Sequence, residues 1–407
     1  MNYHYHRKYN PDDVLVYIEE FIKEAGTVLF DFLDSDEYER FSSYGEKNNS
    51  QDSGSMVIVN NYRLKTIQEN TVYAIKRSVI ERWSEQNIID SENQNSFLIG
   101  YRVELPNTEN QVFSESVSLD ELSNSNRAYY VHGNGNLKLL SLQLKGQISI
   151  MVRNVGQGNW NEIKQNDSVK IVFDAGAPTN ASNISVLGII GSKAIEYSKD
   201  RPGLILSHWD KDHYHSLLGM SNAELGGFSF FICRNFIPNL TSRKLFERIK
   251  KALGLNNIIA IAAGNKVTRG GPTCLKPLTA INNQIVIYNG QRNKNRNLSG
   301  LVLTIKTGKA SAILSGDCYY EQISRDILPH LNYTCDHYLI VPHHGGNAGN
   351  YLYNSNKRNK LKEAIISVGN NPYKPPHPYQ NNIKNLVISG FKIIRMDRII
   401  GDYGFKL

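Results

Sequence analysis

The hydrophobic pattern gives the chain two textures. From about Gln147 onward, short apolar runs each close on a turn bearing Gly, Asn, Asp or His: SIMVRNVGQG, KIVFDAG, GLILSH, FSFFIC, LVLTIK, SAILSGD, YLIVPHHGG and AIISVG. Runs of this length bounded by turn formers predict strands of a layered α/β domain with functional groups at the strand ends. Before Gln147 the pattern is looser. Leu15, Ile18, Ile22, Ala25, Leu29 and Phe32 recur at helical spacing behind Pro11 and Asp12, which predicts an amphipathic helix ending in the acidic patch of Asp34, Asp36 and Glu37. Residues 42–55 are turn-rich and predict a mobile loop. MVIV from Met56, FLIGYRVEL from Phe97 and AYYV from Ala128 predict strands, with a helix expected between Tyr73 and Gln86. The expected organisation is an α+β domain over residues 1–145 followed by an α/β domain over 146–407, with no internal repeat of fixed period.

Composition narrows the classes. With 407 residues, 40% of them hydrophobic and 21% charged, the chain can bury a core in two or three domains, and the composition argues against disorder. No apolar run approaches the roughly 18 residues of a membrane span, and the start MNYHYHRKYNPDD is too polar for a signal peptide. A soluble cytoplasmic protein without membrane attachment is expected. Cys233, Cys274, Cys318 and Cys335 form no C-x-x-C pair, which argues against a disulfide framework, a zinc ribbon or a redox pair. His4 and His6 lie in a polar terminus with no third ligand and are expected to be solvated.

Charge separates the two parts. Residues 1–145 carry 14 Lys+Arg against 22 Asp+Glu, a net of −8, which leaves 32 against 16, a net of +16, for residues 146–407. The asymmetry suits a polyanion-handling domain joined to an acidic regulatory or partner-binding one. Within the basic part, TSRKLFERIKKAL predicts a helix with Leu245, Phe246, Ile249 and Leu253 on one side and Arg243, Lys244, Arg248, Lys250 and Lys251 over the rest. Two basic loops, with Arg292, Lys294 and Arg296 in one and Lys357, Arg358, Lys360 and Lys362 in the other, are expected to join it in contacting nucleic-acid phosphates.

The sharpest chemistry lies in LSHWDKDHYHS, where His208, Asp210, Asp212 and His213 follow an apolar strand in an H-x-D-x-D-H pattern. Alone, such a pattern equally describes a charged loop. Other strand ends add to it: Asp174 in IVFDAG, Asp317 in AILSGD, and His343 with His344 in LIVPHHGG. If the carboxylates converge, each pair at about 4 Å repels by about 4 kcal/mol at an effective dielectric near 20, so a counter-ion is needed. A divalent cation with adjacent imidazoles is a mixed N/O set suited to Mn²⁺ or Zn²⁺.

These motifs resemble those of the metallo-β-lactamase-fold hydrolases, and among them the soluble domain of ComEC-type competence proteins. The resemblance covers roughly residues 147–407 and rests on an ordered series: NVGQG, FDAG, SHWDKDH, NLSGLVLTI, ILSGD, VPHHGG, SVGNNPYKPPHP and IIRMDRIIGDYGF. It implies an αββα sandwich with one or two divalent ions at the edge of two facing sheets. His208 and Asp210 resemble ligands of one ion, Asp212 and His213 those of the other, Asp317 the bridging carboxylate, and His343, in preference to His344, the late His ligand. Asp174 and Gln157 resemble supports behind the ligands. Asp212 is expected to orient the attacking water, and His344 or His377 to protonate the leaving oxygen. The chain departs from the pattern in three places. Asp210 stands where the commoner motif has His, no histidine lies between His215 and His330, and Gly345, Gly346, Asn347 and Ala348 replace a usual Ser and Lys. The resemblance implies a nuclease or phosphodiesterase on DNA rather than RNA, and a free-standing chain with an acidic front suggests a regulated nuclease in bacterial defence. Hydrolysis of a small ester, lactone or cyclic nucleotide, or a metal-stabilised interaction protein without turnover, are the alternatives.

Overall fold

The computed structural model describes residues 12–44, 54–62, 67–85, 99–105, 113–117, 129–135, 144–265, 271–280, 284–332, 334–351, 360–371 and 376–407. It divides into two compact units, the first made of Met1–Tyr130, Ser182–Ser185 and Phe236–Glu247, the second of Val131–Ala181, Val186–Asn235 and Arg248–Leu407. The units are therefore not consecutive blocks, as a single boundary at 145/146 would require. His4 and His6, residues 45–53 of the expected loop, and Lys357 with Arg358 lie outside the described residues.

In the first unit, β1 (Asp13–Ile22), β2 (Thr27–Phe32), β3 (Met56–Asn60), β4 (Thr71–Lys76), β5 (Ile99–Glu104) and β6 (Phe113–Val117) form one sheet in the order β5-β3-β2-β1-β4-β6. The expected first helix is thus a hairpin. Val14, Leu15, Val16, Tyr17 and Ile18 are all buried, so consecutive apolar side chains are taken by the two faces of a strand, and a helix would have left some of them in water. Helix α1 (Ser35–Tyr44) begins where that helix was expected to end. The segment expected to be helical from Tyr73 starts as β4, whose TVYAI favours a strand, and turns helical only in α2 (Arg77–Glu85). Phe30, Phe32, Phe41 and Trp83 fill the core of this unit. The AYYV run supplies only β7 (Tyr129–Tyr130), which pairs with the later Phe236–Ile237.

The second unit holds two seven-stranded sheets. With β8 (Ile148–Val152), β9 (Trp160–Gln165), β10 (Ser168–Ala175), β11 (Gly203–Ile205), β12 (Phe230–Arg234), β13 (Phe236–Ile237, in the first unit), β14 (Ile258–Ile261) and β22 (Tyr403–Lys406), the first of them runs β14-β12-β11-β10-β9-β8-β22. The other, of β15 (Leu275–Ala280), β16 (Ile285–Gly290), β17 (Leu301–Lys306), β18 (Ala310–Leu314), β19 (Asp336–Ile340), β20 (Lys360–Ile366) and β21 (Lys392–Arg395), runs in numerical order. One apolar cluster takes Ile150, Phe173, Ile205 and Ile232 from the first sheet and Ile287, Leu303, Leu314 and Ile365 from the second, so the sheets pack face to face. A second cluster joins Val302, Ile313, Leu339 and Ala364 on the far face of the second sheet to Ile323, Ile327 and Leu386 of covering helices. Helices α3 (Lys193–Asp200) and α4 (Lys211–Gly219) pack on β10 of the first sheet. The layers are αββα, as the resemblance implies. Cys233, Cys318 and Cys335 are buried, unpaired core residues, and Cys274 is half-buried and also free. Among the described residues no helix is long and apolar enough to cross a membrane.

Helix α5 (Leu240–Leu253) is the expected basic helix, and it buries Leu245, Phe246 and Ile249. Its first turn belongs to the first unit. The fully buried Asp31 carboxylate accepts the Thr241 backbone N–H at 2.8 Å and the Phe32 N–H at 2.8 Å, filling a helix end that its own chain leaves open. Burial holds the Asp31 carboxyl above its usual pKa although the Thr241 contacts pull the other way. Asp31→Ala is expected to lower stability by about 1–3 kcal/mol in urea unfolding, because it leaves a buried N–H unpaired, while Asp31→Asn, which keeps the acceptor, costs less.

Candidate metal centre

Strand direction gathers the site. β10, β11 and β12 are mutually parallel, as are β18, β19 and β20, so their C-terminal ends can carry side chains to common edges. Asp174 is the penultimate residue of β10, His208 follows β11, Asp212 and His213 open α4, Asp317 follows β18, and His343 and His344 follow β19. Gly176 makes the approach possible, since a Cβ there would come within 1.7 Å of the Asp212 carbonyl oxygen.

Three imidazoles are set in the same way. His213 Nδ1 donates to Asp174 Oδ2 at 2.8 Å, His344 Nδ1 donates to the Ser367 carbonyl at 2.6 Å, and His208 Nδ1 lies 2.9 Å from Ser207 Oγ. That hydroxyl donates to Asp174 at 2.9 Å and so accepts from His208. With Nδ1 protonated in each ring, every Nε2 carries its lone pair, and a fixed tautomer of this kind is what a metal-ligating histidine needs. The Nε2 atoms face carboxylates: His213 is 3.1 Å from Asp317 Oδ1, His344 is 3.0 Å from Asp212 Oδ2, and His208 is 3.2 Å from Asp210 Oδ2 and 3.7 Å from Asp317 Oδ2. His208 Nε2, His213 Nε2 and Asp317 Oδ1 are buried without a hydrogen bond of good geometry. Acceptor facing acceptor in a buried site repels unless a cation or a proton stands between them. Burial would lower the His213 pKa, yet Asp317 and Asp174 raise it well above the ordinary value, and Asp317 is in turn held well below its own by His213 and His343 against its burial. Among the described residues, two groups of donor atoms are close enough to hold a divalent ion, His208 with His213 and Asp317, and Asp212 with His213 and His344.

Other expected site residues take different places. His343 belongs to neither group: its Nδ1 donates to Asp317 Oδ2 at 2.7 Å, and its side chain stays 30% exposed. His343 was expected as the late ligand, and it is His344 that lies beside Asp212 and His213. Both residues have a positive φ, 51° and 52°, and two successive left-handed residues turn the side chains to different partners. Asp210 also stands outside both groups. Its Oδ1 pairs with the Arg296 guanidinium at 2.8 Å, and although burial opposes it, Arg296 and His208 hold its carboxyl well below the usual range. Gln157 Nε2 lies 3.5 Å from His377 Nδ1, so it supports that ring and touches no ligand. Burial and the neighbouring His343 and His344 push His377 down to about 3. Gly346 gives this ring room, a Cβ there lying 2.5 Å from it, which accounts for glycine where a larger residue was expected.

The basic residues divide likewise. In the first unit, Arg243 donates to the Leu33 carbonyl at 2.8 Å, and Lys244 Nζ sits 4.6 Å over the Tyr38 ring. In the second, Arg248 bonds the Leu218 carbonyl at 3.0 Å and the Met220 carbonyl. Each of these three contacts groups within its own unit. Lys251 and Lys294 are exposed, and Arg292 is half-buried. Sequence reasoning placed Arg296 among the phosphate-contacting cations, but it is buried and faces Asp210. Its position just before NLSGLVLTI is the one signal that marks it.

The two facing sheets with helices outside them carry histidines and aspartates at their strand ends. Among solved structures, the chain is similar to the metallo-β-lactamase fold protein YhfI from Bacillus subtilis, at 12% identity over 64% of this chain and 100% of that one, with a TM-score of 0.37. It is similar to a long form of RNase Z from yeast at 13% identity over 70% of this chain and 44% of that one, TM-score 0.36. It is also similar to CmlA, a diiron β-hydroxylase from Streptomyces venezuelae, at 10% identity over 63% of this chain and 54% of that one, TM-score 0.34. No family model and no curated protein matches the chain.

The two histidines of the β19 turn separate experimentally. His344→Ala is expected to weaken metal binding by at least about tenfold in a chelator competition, the scale of a lost supporting group or more, while His343→Ala weakens it less.

Proposed function

We propose that the second unit is a metal-dependent hydrolase cleaving phosphodiesters of nucleic acid, DNA rather than RNA, with the acidic first unit binding a protein partner or regulating access. The observation that carries this reading is the facing of three Nε2 lone pairs and the Asp212 and Asp317 carboxylates across a buried gap. A bound divalent ion, Mn²⁺ or Zn²⁺, supplies Lewis acidity and brings water towards deprotonation near neutral pH.

The chain's own groups do the rest. Asp212 remains 14% exposed, and although burial would raise its pKa, His344 and His213 hold it low, so an ionised carboxylate is available to orient a water molecule. Asp174 fixes the His213 ring, and the Asp174 carboxylate is itself fixed by the Ser207 N–H at 2.7 Å. The net of +16 over residues 146–407 favours a polyanionic substrate, and exposed Lys251 and Lys294 remain candidates for phosphate contacts.

Purified protein supplied with Mn²⁺, Mg²⁺ or Zn²⁺ is expected to cleave linear, circular or single-stranded DNA, and Asp212→Ala to lose about 10²–10⁴-fold in rate. Cleavage of RNA alone would move the substrate to RNA, and turnover of small esters without any nucleic-acid cleavage would replace the reading. Equal cleavage by Asp212→Ala would assign the activity to another site.

A further inference from the structure

We infer that Arg234 forms an anion subsite beside the metal centre, binding a phosphate of the nucleic-acid chain other than the one that is cleaved. The inference rests on the proposed hydrolysis of nucleic acid and deepens it.

Arg234 closes β12, whose side chains alternate between the two faces of its sheet. Phe230 and Ile232 belong to the core shared by the two sheets, so Arg234, two residues further on, enters the same space at its rim. In the facing sheet, Ile285 and Ile287 of β16 lead in the same way to Asn289. β16 runs in the direction of β18, because each is antiparallel to β17. Arg234 and Asn289 therefore meet at the edge where His208 leaves β11 and Asp317 leaves β18. β12 pairs directly with β11, one strand spacing of about 4.8 Å away. Trp209 Nε1 donates to the Arg234 carbonyl at 2.9 Å, which ties the end of β12 to the loop between His208 and Asp210.

The side chain is a buried cation without a counter-ion. Arg234 is 7% exposed, Nη1 donates to Asn289 Oδ1, and Nη2 donates to the Gly290 carbonyl at 3.4 Å. Both partners are neutral. The Asn289 amide nitrogen is held by the Ala262 carbonyl at 3.0 Å, which keeps its oxygen towards the guanidinium. Among the described residues no carboxylate pairs with Arg234, whereas Arg296, which donates to the Trp209 carbonyl at 3.2 Å, pairs with Asp210 at 2.8 Å. Burial pulls the Arg234 pKa down to about 10, which leaves the group charged at neutral pH. Buried charges are as a rule paired, and of the five N–H donors of a guanidinium two are committed here. Those that remain suit phosphate oxygens, which arginine binds through a fork of N–H groups. The neighbouring chain has no acid to offer. From Arg248 to Gly316, a stretch that includes β14, β16 and the loops that follow them, there are eleven Lys and Arg and no Asp or Glu. The anion that Arg234 lacks comes from a ligand.

The test is binding of DNA at several salt concentrations. The full chain is supplied with Mn²⁺ and titrated into a fluorescein-labelled, ten-nucleotide single-stranded phosphorothioate DNA, which keeps the backbone charge and resists hydrolysis. Fluorescence anisotropy gives the Kd, and cleavage of ordinary DNA is followed in parallel. Arg234→Met is expected to bind about tenfold more weakly, with the slope of log Kd against log salt reduced by about 0.7, the value of one phosphate contact on a single strand. Arg234→Gln, which removes the charge but keeps a donor for the Asn289 and Gly290 oxygens, is expected to show the same loss and carries the test if Arg234→Met does not fold. Arg234→Lys is expected to restore the slope and part of the affinity. Folded Arg234→Met or Arg234→Gln with unchanged Kd and slope would overturn the subsite and leave the hydrolase reading standing, provided that the unaltered protein cleaves DNA. Weaker binding in all three variants with an unchanged slope would make Arg234 a tie between the sheets and would also overturn the subsite. An unaltered protein that neither binds the probe nor cleaves DNA would overturn the nucleic-acid reading, and the subsite with it.

Discussion

The arrangement at the strand ends depends on where three protons sit. His208, His213 and His344 each commit Nδ1 to an oxygen, and each is left presenting a lone pair to a carboxylate that can only accept. Such a set is unfavourable in the absence of a positive charge, and burial sharpens the penalty because water cannot intervene. The sandwich maintains the set through the backbone and the second row of polar groups: the Ser367 carbonyl at the end of β20, and Asp174, itself anchored by the Ser207 N–H.

The cost of this organisation is visible in the backbone. Asp174 has a φ of 59°, and His343 and His344 follow each other in the left-handed region, conformations worth roughly 1–3 kcal/mol each for residues with side chains. They persist because the flanking strands are buried on both faces, with Phe173 and Ile340 in the shared core of the two sheets and Leu339 under the helices on the far face. A large apolar interior thus holds a few strained, polar residues at its rim in orientations that an isolated turn would not keep.

Much of the second unit was legible because its signals are local. A short apolar run ending in FDAG, SH, SGD or PHH states both the strand and the residue that leaves it, and the αββα layers were implied by the resemblance that these motifs carry. What escaped reading depended on distant partners or on torsion. Nothing in PHHGG says which ring turns towards Asp212, since that is decided by two positive φ angles. Arg296 looked like one more cation in a basic loop, and its partner Asp210 lies far along the chain. The same holds for Arg243 and Arg248, whose charge is spent on carbonyls. The misread hairpin of β1 and β2 has another cause: an apolar stretch buried on both faces contains helical spacing by accident.

The division of the chain passes through α5, whose residues up to Glu247 cluster with the first unit and those from Arg248 with the second. Neither unit can then be excised or exchanged as a contiguous cassette. A cut near residue 130 would strip the Thr241 N–H of the Asp31 oxygen that caps its helix, so the pieces of the first unit have to stay on one chain for that helix end to be filled.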